Sequence, residues 1–196
     1  MRQFSRRIII SGNFYVAQVI SDFSTAAIKI GDFLAEHMNN AAIVCIGTDK
    51  CIIDSLGPLT GTLLMKENIK ADIYGTLEKP VHAMNINDYV KNLKRKNYDR
   101  IIVVDACLSN KKSQGIIEVR EGSITPGKGI GKLLPEIGDI SIIGIVDSSD
   151  KAFHDLVQDT RLSLIYDMAE IICRGLLNAY GMRLSESFDQ ASMSST

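Results

Sequence analysis

The sequence predicts an α/β fold, a three-layer α/β/α sandwich on a mostly parallel sheet. Short continuous apolar runs, Ile43-Val-Cys-Ile46, Ile101-Ile-Val-Val104 and Ile142-Ile-Gly-Ile-Val146, read as strands buried on both faces. Stretches between them place apolar residues at helical spacing. The two kinds of segment alternate along the chain, which is the order that lays helices on the faces of a parallel sheet.

Each element follows from local pattern. Helical periodicity runs from about Thr25 to Met38, with Ala26, Ala27, Ile30, Phe33, Leu34 and Met38 as the buried stripe and Asn39-Asn40 closing it. A strand spans 42–47. Ser55-Leu-Gly-Pro58 opens a helix carrying Leu56, Leu59, Leu63 and Leu64 on one face. Ala71–Gly75 is a short strand, and Asn85 or Asn87 caps a helix bearing Tyr89, Val90 and Leu93. A strand at 100–105 comes next. Ile116-Ile-Glu-Val-Arg-Glu121 alternates as a strand with one polar face, paired antiparallel in a hairpin. A buried strand at 141–146 precedes a final helix from Thr160, apolar over a broad face from Leu162 to Leu176. The expectation is one domain over residues 1–196 with its core at about 20–180. Both ends, the first dozen residues and the small, polar tail from Leu184, are expected to be poorly ordered.

Composition narrows the function. With 196 residues and 45% hydrophobic content the chain can bury one sizeable core. Lys and Arg number 22 against 23 acids, a net charge of −1, which argues against a nucleic-acid partner. The basic run Lys91–Lys96 lies on a helix whose other face is apolar, and so reads as a solvated surface. No segment reaches the roughly 18 apolar residues of a membrane span. The apolar run after Arg6-Arg7 is far short of the roughly 7 to 15 of a secretory signal. Cys45, Cys51, Cys107 and Cys173 show neither C-x-x-C nor zinc-site spacing and read as reduced thiols. These observations place the protein in the cytoplasm with no membrane partner and no cofactor.

Two aspartates stand out. Asp54 follows the strand at 42–47 across a short loop, and Asp105 ends the apolar run from Ile101. Ligands of open α/β sheets bind outside the carboxyl ends of the strands. Two carboxylates meeting there suit acid–base hydrolysis or metal binding. Asp is also common after a strand as an N-cap for the next helix, and position alone does not decide between the two roles. Gly47, Thr48, Gly57 and Ala106 are small neighbours that let backbone N–H groups approach a substrate, or simply permit tight turns. Gly122-Ser-Ile-Thr-Pro-Gly-Lys-Gly129 misses a phosphate-binding loop: Gly129 stands where a Ser or Thr would hold magnesium, and Pro126 removes an N–H. It reads instead as a mobile loop bordering the cleft, with Gly127, Lys128, Gly129 and Gly131 on the substrate and Lys128 or Lys132 meeting an acidic group. Cys107 is the rival nucleophile, but nothing in the spacing links it to His82 or His154. His37 lies on a buried stripe and reads as a core histidine.

The motifs carry a resemblance. Asp54-Ser-Leu-Gly-Pro58, preceded by Ile46-Gly-Thr48, resembles the Asp-Ala-Leu-Gly-Pro segment of the spore germination protease. Val104-Asp-Ala-Cys-Leu108 is similar to its second Asp-Ala-Leu segment, and Ile124-Thr-Pro-Gly-Lys-Gly-Ile-Gly-Lys132 to its Pro-Gly-x-Gly-Val-Gly loop, in the same order. Over roughly residues 40–175 the chain resembles the YyaC family of spore proteases from endospore-forming bacteria. That resemblance implies a phosphorylase/hydrolase-like fold and catalysis by Asp54 and Asp105. It also implies a protein or peptide substrate such as small spore proteins, and residence in the sporulating cell or spore core. A more distant similarity is to the hydrogenase maturation proteases, in which an acid, an Asp and a later His bind the metal of the substrate. Asp54 and Asp105 match the first two, but His154 is the only downstream His, so no metal is expected. The sequence departs from the germination protease at Ser55 and at the inserted Cys107. The alternative is a non-catalytic peptide- or metal-binding homologue, and oligomeric state stays open.

Overall fold

The computed structural model describes residues 14–18, 23–67, 69–111, 114–127 and 134–193, with side chains left undescribed in 14–18 and 182–193. Six strands form one sheet: β1 (Phe14–Gln18), β2 (Ala41–Cys45), β3 (Asp72–Tyr74), β4 (Arg100–Leu108), β5 (Ile116–Glu121) and β6 (Ile140–Asp147). Their order is β1-β5-β6-β4-β2-β3. The pairs β6–β4, β4–β2 and β2–β3 are parallel, and β5 runs antiparallel between β1 and β6. The helices are α1 (Phe23–Leu34), α2 (Leu56–Lys66), α3 (Ile86–Arg95), α4 (Phe153–Asp159) and α5 (Leu162–Met193). This is the three-layer, mostly parallel α/β sandwich that the alternating pattern predicts.

Strand periodicity divides the core in two. Ile43 and Cys45 of β2, with Ile102 and Val104 of β4, face the layer formed by α1, α2 and α5. Ala42 and Val44, with Val103, face the other way, under Ile86 and Leu93 of α3 and the Ile124–Ile137 bridge. The broad apolar face of the last helix is explained by this position: Ile165, Met168, Ile171, Ile172 and Leu176 are fully buried between the sheet and α1. Cys45 and Cys173 are buried in that same layer, and burial, followed by the nearness of Cys173, raises the Cys45 thiol far above its ordinary range. Among the described residues no helix is long and apolar enough to cross a membrane.

Three local differences have physical causes. Asp105 does not end its strand: β4 continues through Leu108, because β6 keeps pairing with it past the end of β2, with a register shift between Cys107 and Leu108. Asn85 stands at the start of α3, yet its side chain turns back to the preceding loop, accepting from the His82 N–H at 2.9 Å and donating to the Pro80 carbonyl at 2.9 Å. The polar tail does not interrupt α5, which continues to Met193; residues 184–193 hold neither Gly nor Pro, so nothing in their composition stops propagation. The first dozen residues lie outside the described residues.

Candidate active site

The site begins where β2 stops. Past Cys45, the Ile46 N–H donates to the Val104 carbonyl at 2.8 Å, and the Gly47 N–H donates to the Val81 carbonyl at 2.8 Å. The chain then loops out and returns as a 3-10 turn, Ile52–Asp54, which leads into α2. A backbone bond closes the loop: the Thr48 N–H donates to the Asp54 carbonyl at 2.9 Å. Gly47, at φ 140°, makes that closure possible, since a Cβ there would stand 2.0 Å from the Asp54 carbonyl oxygen. Gly57 lets α2 press on the strand end, where a Cβ would come within 2.0 Å of the Ile46 carbonyl oxygen. Asp54 is therefore not the N-cap of α2. Ser55 holds that position, and its hydroxyl donates to the Ile52 carbonyl at 2.8 Å rather than capping the helix.

Asp105 reaches the same edge from the neighbouring strand. It lies one residue beyond Val104, the partner of Cys45, so it emerges where β2 has ended. On its other side it pairs with Ile143, whose side chain belongs to the core layer beneath α3. Asp105 thus points to that face, and one of its carboxylate oxygens accepts the Ala106 N–H at 2.9 Å. The 3-10 turn carrying Asp54 packs against β4.

The two carboxyl groups feel each other. Burial pushes Asp54 up to about 6, opposed by the Thr48 N–H, which favours its ionised form. Asp105 is raised well above the ordinary carboxylate range, first by burial and then by the charge of Asp54, with the Ala106 N–H pulling the other way. Burial and mutual repulsion make two charges harder to hold here than one, so the pair titrates as a unit.

The other expected site residues divide. Gly47 and Thr48 lie in the loop and fix the backbone of Asp54. Gly127 is at φ 75°. Lys128, Gly129 and Gly131 lie outside the described residues, as does Lys132. The ends of their segment are anchored on the sheet face that Asp105 shares: the Ile124 and Ile137 backbones bond reciprocally at 3.0 Å, and both side chains are buried with Val103 and Ile46. Cys107 is half-buried on β4, two residues beyond Asp105. His37 is half-buried with its ring 5.8 Å from that of Phe33. His154 is on α4, an exposed side chain 3.5 Å from Asp155. Among the described residues no three His, Cys, Asp or Glu side chains gather as a metal-binding group.

A third strand-end carboxylate was not singled out from sequence. Asp147 closes β6 and is buried, and one oxygen accepts the Ser148 N–H at 2.7 Å. Its other oxygen accepts from the Thr160 hydroxyl at 3.0 Å, and the Lys151 ammonium lies 3.2 Å away. Burial disfavours its charge, but these donors outweigh burial and hold its carboxyl below the ordinary range. Its signal was present, an acid directly after Ile142–Val146, the same pattern as Asp105. Asp147 is satisfied by its own chain and ties the α4 turn to the start of α5.

Comparisons with known proteins agree with the sequence reading at the level of family. The crystal structure of the [NiFe] hydrogenase maturation protease HycI from Thermococcus kodakarensis KOD1 overlaps 74% of this chain and 98% of its own at 16% identity, with a TM-score of 0.42. The uncharacterized protein YyaC of Bacillus subtilis (strain 168) is 40% identical over 169 residues, covering 82% of each chain. A family profile described as "Protein of unknown function (DUF1256)" matches residues 18–175. With that match across most of its length, the chain belongs to the DUF1256 family and is YyaC-like.

Proposed function

We propose that the protein is a peptidase in which Asp54 and Asp105 act as an acid–base pair. The observation that carries this reading is the arrival of both carboxyl groups at one sheet edge, Asp105 just past the last β2–β4 pair and Asp54 on the turn packed against β4; Asp54 is assigned as the base and Asp105 as the acid. In the first step Asp54 takes a proton from water as its oxygen attacks the peptide carbonyl carbon, while Asp105 gives its proton to the carbonyl oxygen. The result is a neutral tetrahedral diol. In the second step Asp54 passes its proton to the amide nitrogen, Asp105 takes one from a diol hydroxyl, and the C–N bond breaks. A carboxylic acid and an amine leave, and both aspartates return to their starting states. The resemblance of the segments around Asp54 and Asp105 to the spore germination protease supports peptide hydrolysis as the reaction. It also points to small spore proteins as substrate and to the cytoplasm of the sporulating cell or spore core as location.

The test is incubation with a spore-core protein extract, read by mass spectrometry for new termini. Wild type is expected to generate them. Asp54→Asn, Asp105→Asn and the double variant are each expected to lose cleavage to a similar extent, because residues acting as one unit are not additive. Cys107→Ala and a chelator are expected to leave cleavage in place. Cleavage that survives Asp105→Asn and dies with Cys107→Ala transfers the chemistry to the thiol. No new termini with wild type favours a binding homologue.

A further inference from the structure

Large apolar side chains gather in the open on one short stretch. Phe153 and Val157 of α4 are 66% and 41% exposed, and Leu162 and Tyr166 of α5 are 57% and 45% exposed. Each pair stands one helical turn apart, so each helix presents a short apolar stripe. Both helices pack against the 3-10 turn that carries Asp54, which brings the elements bearing the stripes to the rim of the candidate site. Exposed acids border them: Asp150, Asp155, Asp159 and Asp167. Lys151 bridges Asp147 and Asp159 at 3.2 and 3.1 Å, so that Asp150, Asp155 and Asp167 remain against Arg161 on this stretch.

We propose that this ledge docks a cationic, amphipathic segment of the polypeptide substrate and presents an adjoining stretch to Asp54 and Asp105. The proposal rests on the peptidase reading above and adds the chemical class of what is recognised. Apolar side chains of the segment cover the two stripes, and its Lys or Arg side chains face the acidic border. A docking surface outside the reacting centre accounts for affinity without demanding a particular residue at the scissile bond. The acidic border steers positively charged chains toward the cleft in a salt-dependent way.

The test uses the full-length protein and a fluorescein-labelled helix-forming peptide of leucines and lysines, followed by fluorescence anisotropy. A control peptide carries glutamate in place of lysine. The lysine peptide is expected to bind at least about tenfold tighter than the control, and Phe153→Ser/Leu162→Ser to weaken it by about tenfold. Asp155→Asn/Asp167→Asn, which leaves the apolar stripes intact, is expected to weaken it by about threefold and to flatten its salt dependence. Asp54→Asn is expected to bind it as wild type does. Equal binding of both peptides, or no loss in either double variant, overturns the proposal. So does a wild-type dimer in sedimentation that Phe153→Ser/Leu162→Ser converts to monomer, since the occupant is then a second copy. Peptide binding that depends on the ledge in a protein that cleaves nothing overturns the peptidase reading alone. Cleavage without ledge-dependent binding overturns the ledge alone.

Discussion

The charge of Asp54 makes Asp105 harder to ionise, and the two side chains arrive at that encounter from different directions. Asp105 is set by a strand ladder, paired with Ile143 of β6 one residue past the last β2 pair; Asp54 is set by a loop that closes on its own backbone through Thr48. One of the pair is therefore held by the sheet, and the other by a turn that has only Gly47 and Gly57 to make room for it.

Activity should depend on pH through this pair. Cleavage is expected to rise as Asp54 ionises near pH 6 and to fall at higher pH as the pair loses its second proton. The profile of kcat/KM against pH, measured on an uncharged peptide, reads both limbs. A flat profile across this range is incompatible with the assigned roles.

The same pair should weaken the fold at neutral pH. A carboxyl raised in the folded state binds its proton more tightly there than in the unfolded chain, so stability falls as pH rises from the ordinary 3.8 towards about 6 at Asp54. Asp54→Asn and Asp105→Asn remove the ionisation that burial opposes. Each is expected to raise Tm at pH 7 by about 2–4 °C, corresponding to about 1 kcal/mol after allowing for partial solvent screening. The gain should shrink on acidification to pH 4, and thermal melts at the two pH values would show it.

Asp147 should behave with the opposite sign. Its carboxyl is held low, so its stabilisation is in place above the ordinary 3.8 and is lost as pH falls through its depressed folded value. Asp147→Asn leaves Lys151 with Asp159 alone and weakens the Thr160 contact, at an expected cost of about 1–3 kcal/mol at pH 7. Chemical denaturation at pH 7 and pH 3 should find that the gap between variant and wild type narrows in acid.

Gly47→Ala should damage site and fold together. Its Cβ would meet the Asp54 carbonyl oxygen at 2.0 Å in a backbone region that L-residues rarely occupy. A loss of about 2–4 kcal/mol is expected, with cleavage falling by about a hundredfold as Asp54 is displaced. Gly122→Ala is the matched control: it too has positive φ, but nothing lies within 4 Å of its would-be Cβ. A smaller loss of stability there, with cleavage preserved, would show that closeness to Asp54 matters as well as glycine's backbone freedom.

Much of this was legible in the chain. β2, β4 and β6 are announced by apolar runs because strands covered on both faces need no polar alternation. The edge strand β1 is a four-residue apolar run, Phe14-Tyr-Val-Ala17, too short and isolated to be assigned from the sequence, and α4, seven residues or about two turns, shows only Leu156 buried to mark its inner face. Asp54 and Asp105 were legible as types at strand ends, but their nearness was not, because it depends on β2 and β4 being neighbours and on β2 stopping first. Asp147 has the same sequence pattern as Asp105 and a different role, which is decided by Thr160 and Lys151, residues that the fold brings to it.

The first strand of the sheet waits longest for its partner. Phe14–Gln18 pairs only with Ile116–Arg120, which lies about a hundred residues later in the chain. At about 5–20 residues per second of synthesis, the gap between making β1 and making its neighbour is roughly 5–20 s. β5 must also be seated beside β6, made later still, before it offers β1 a settled edge. On the ribosome, β2, β3 and β4 can associate as a parallel core while β1 remains unpaired, and the sheet is completed when the middle of the sequence returns to its beginning.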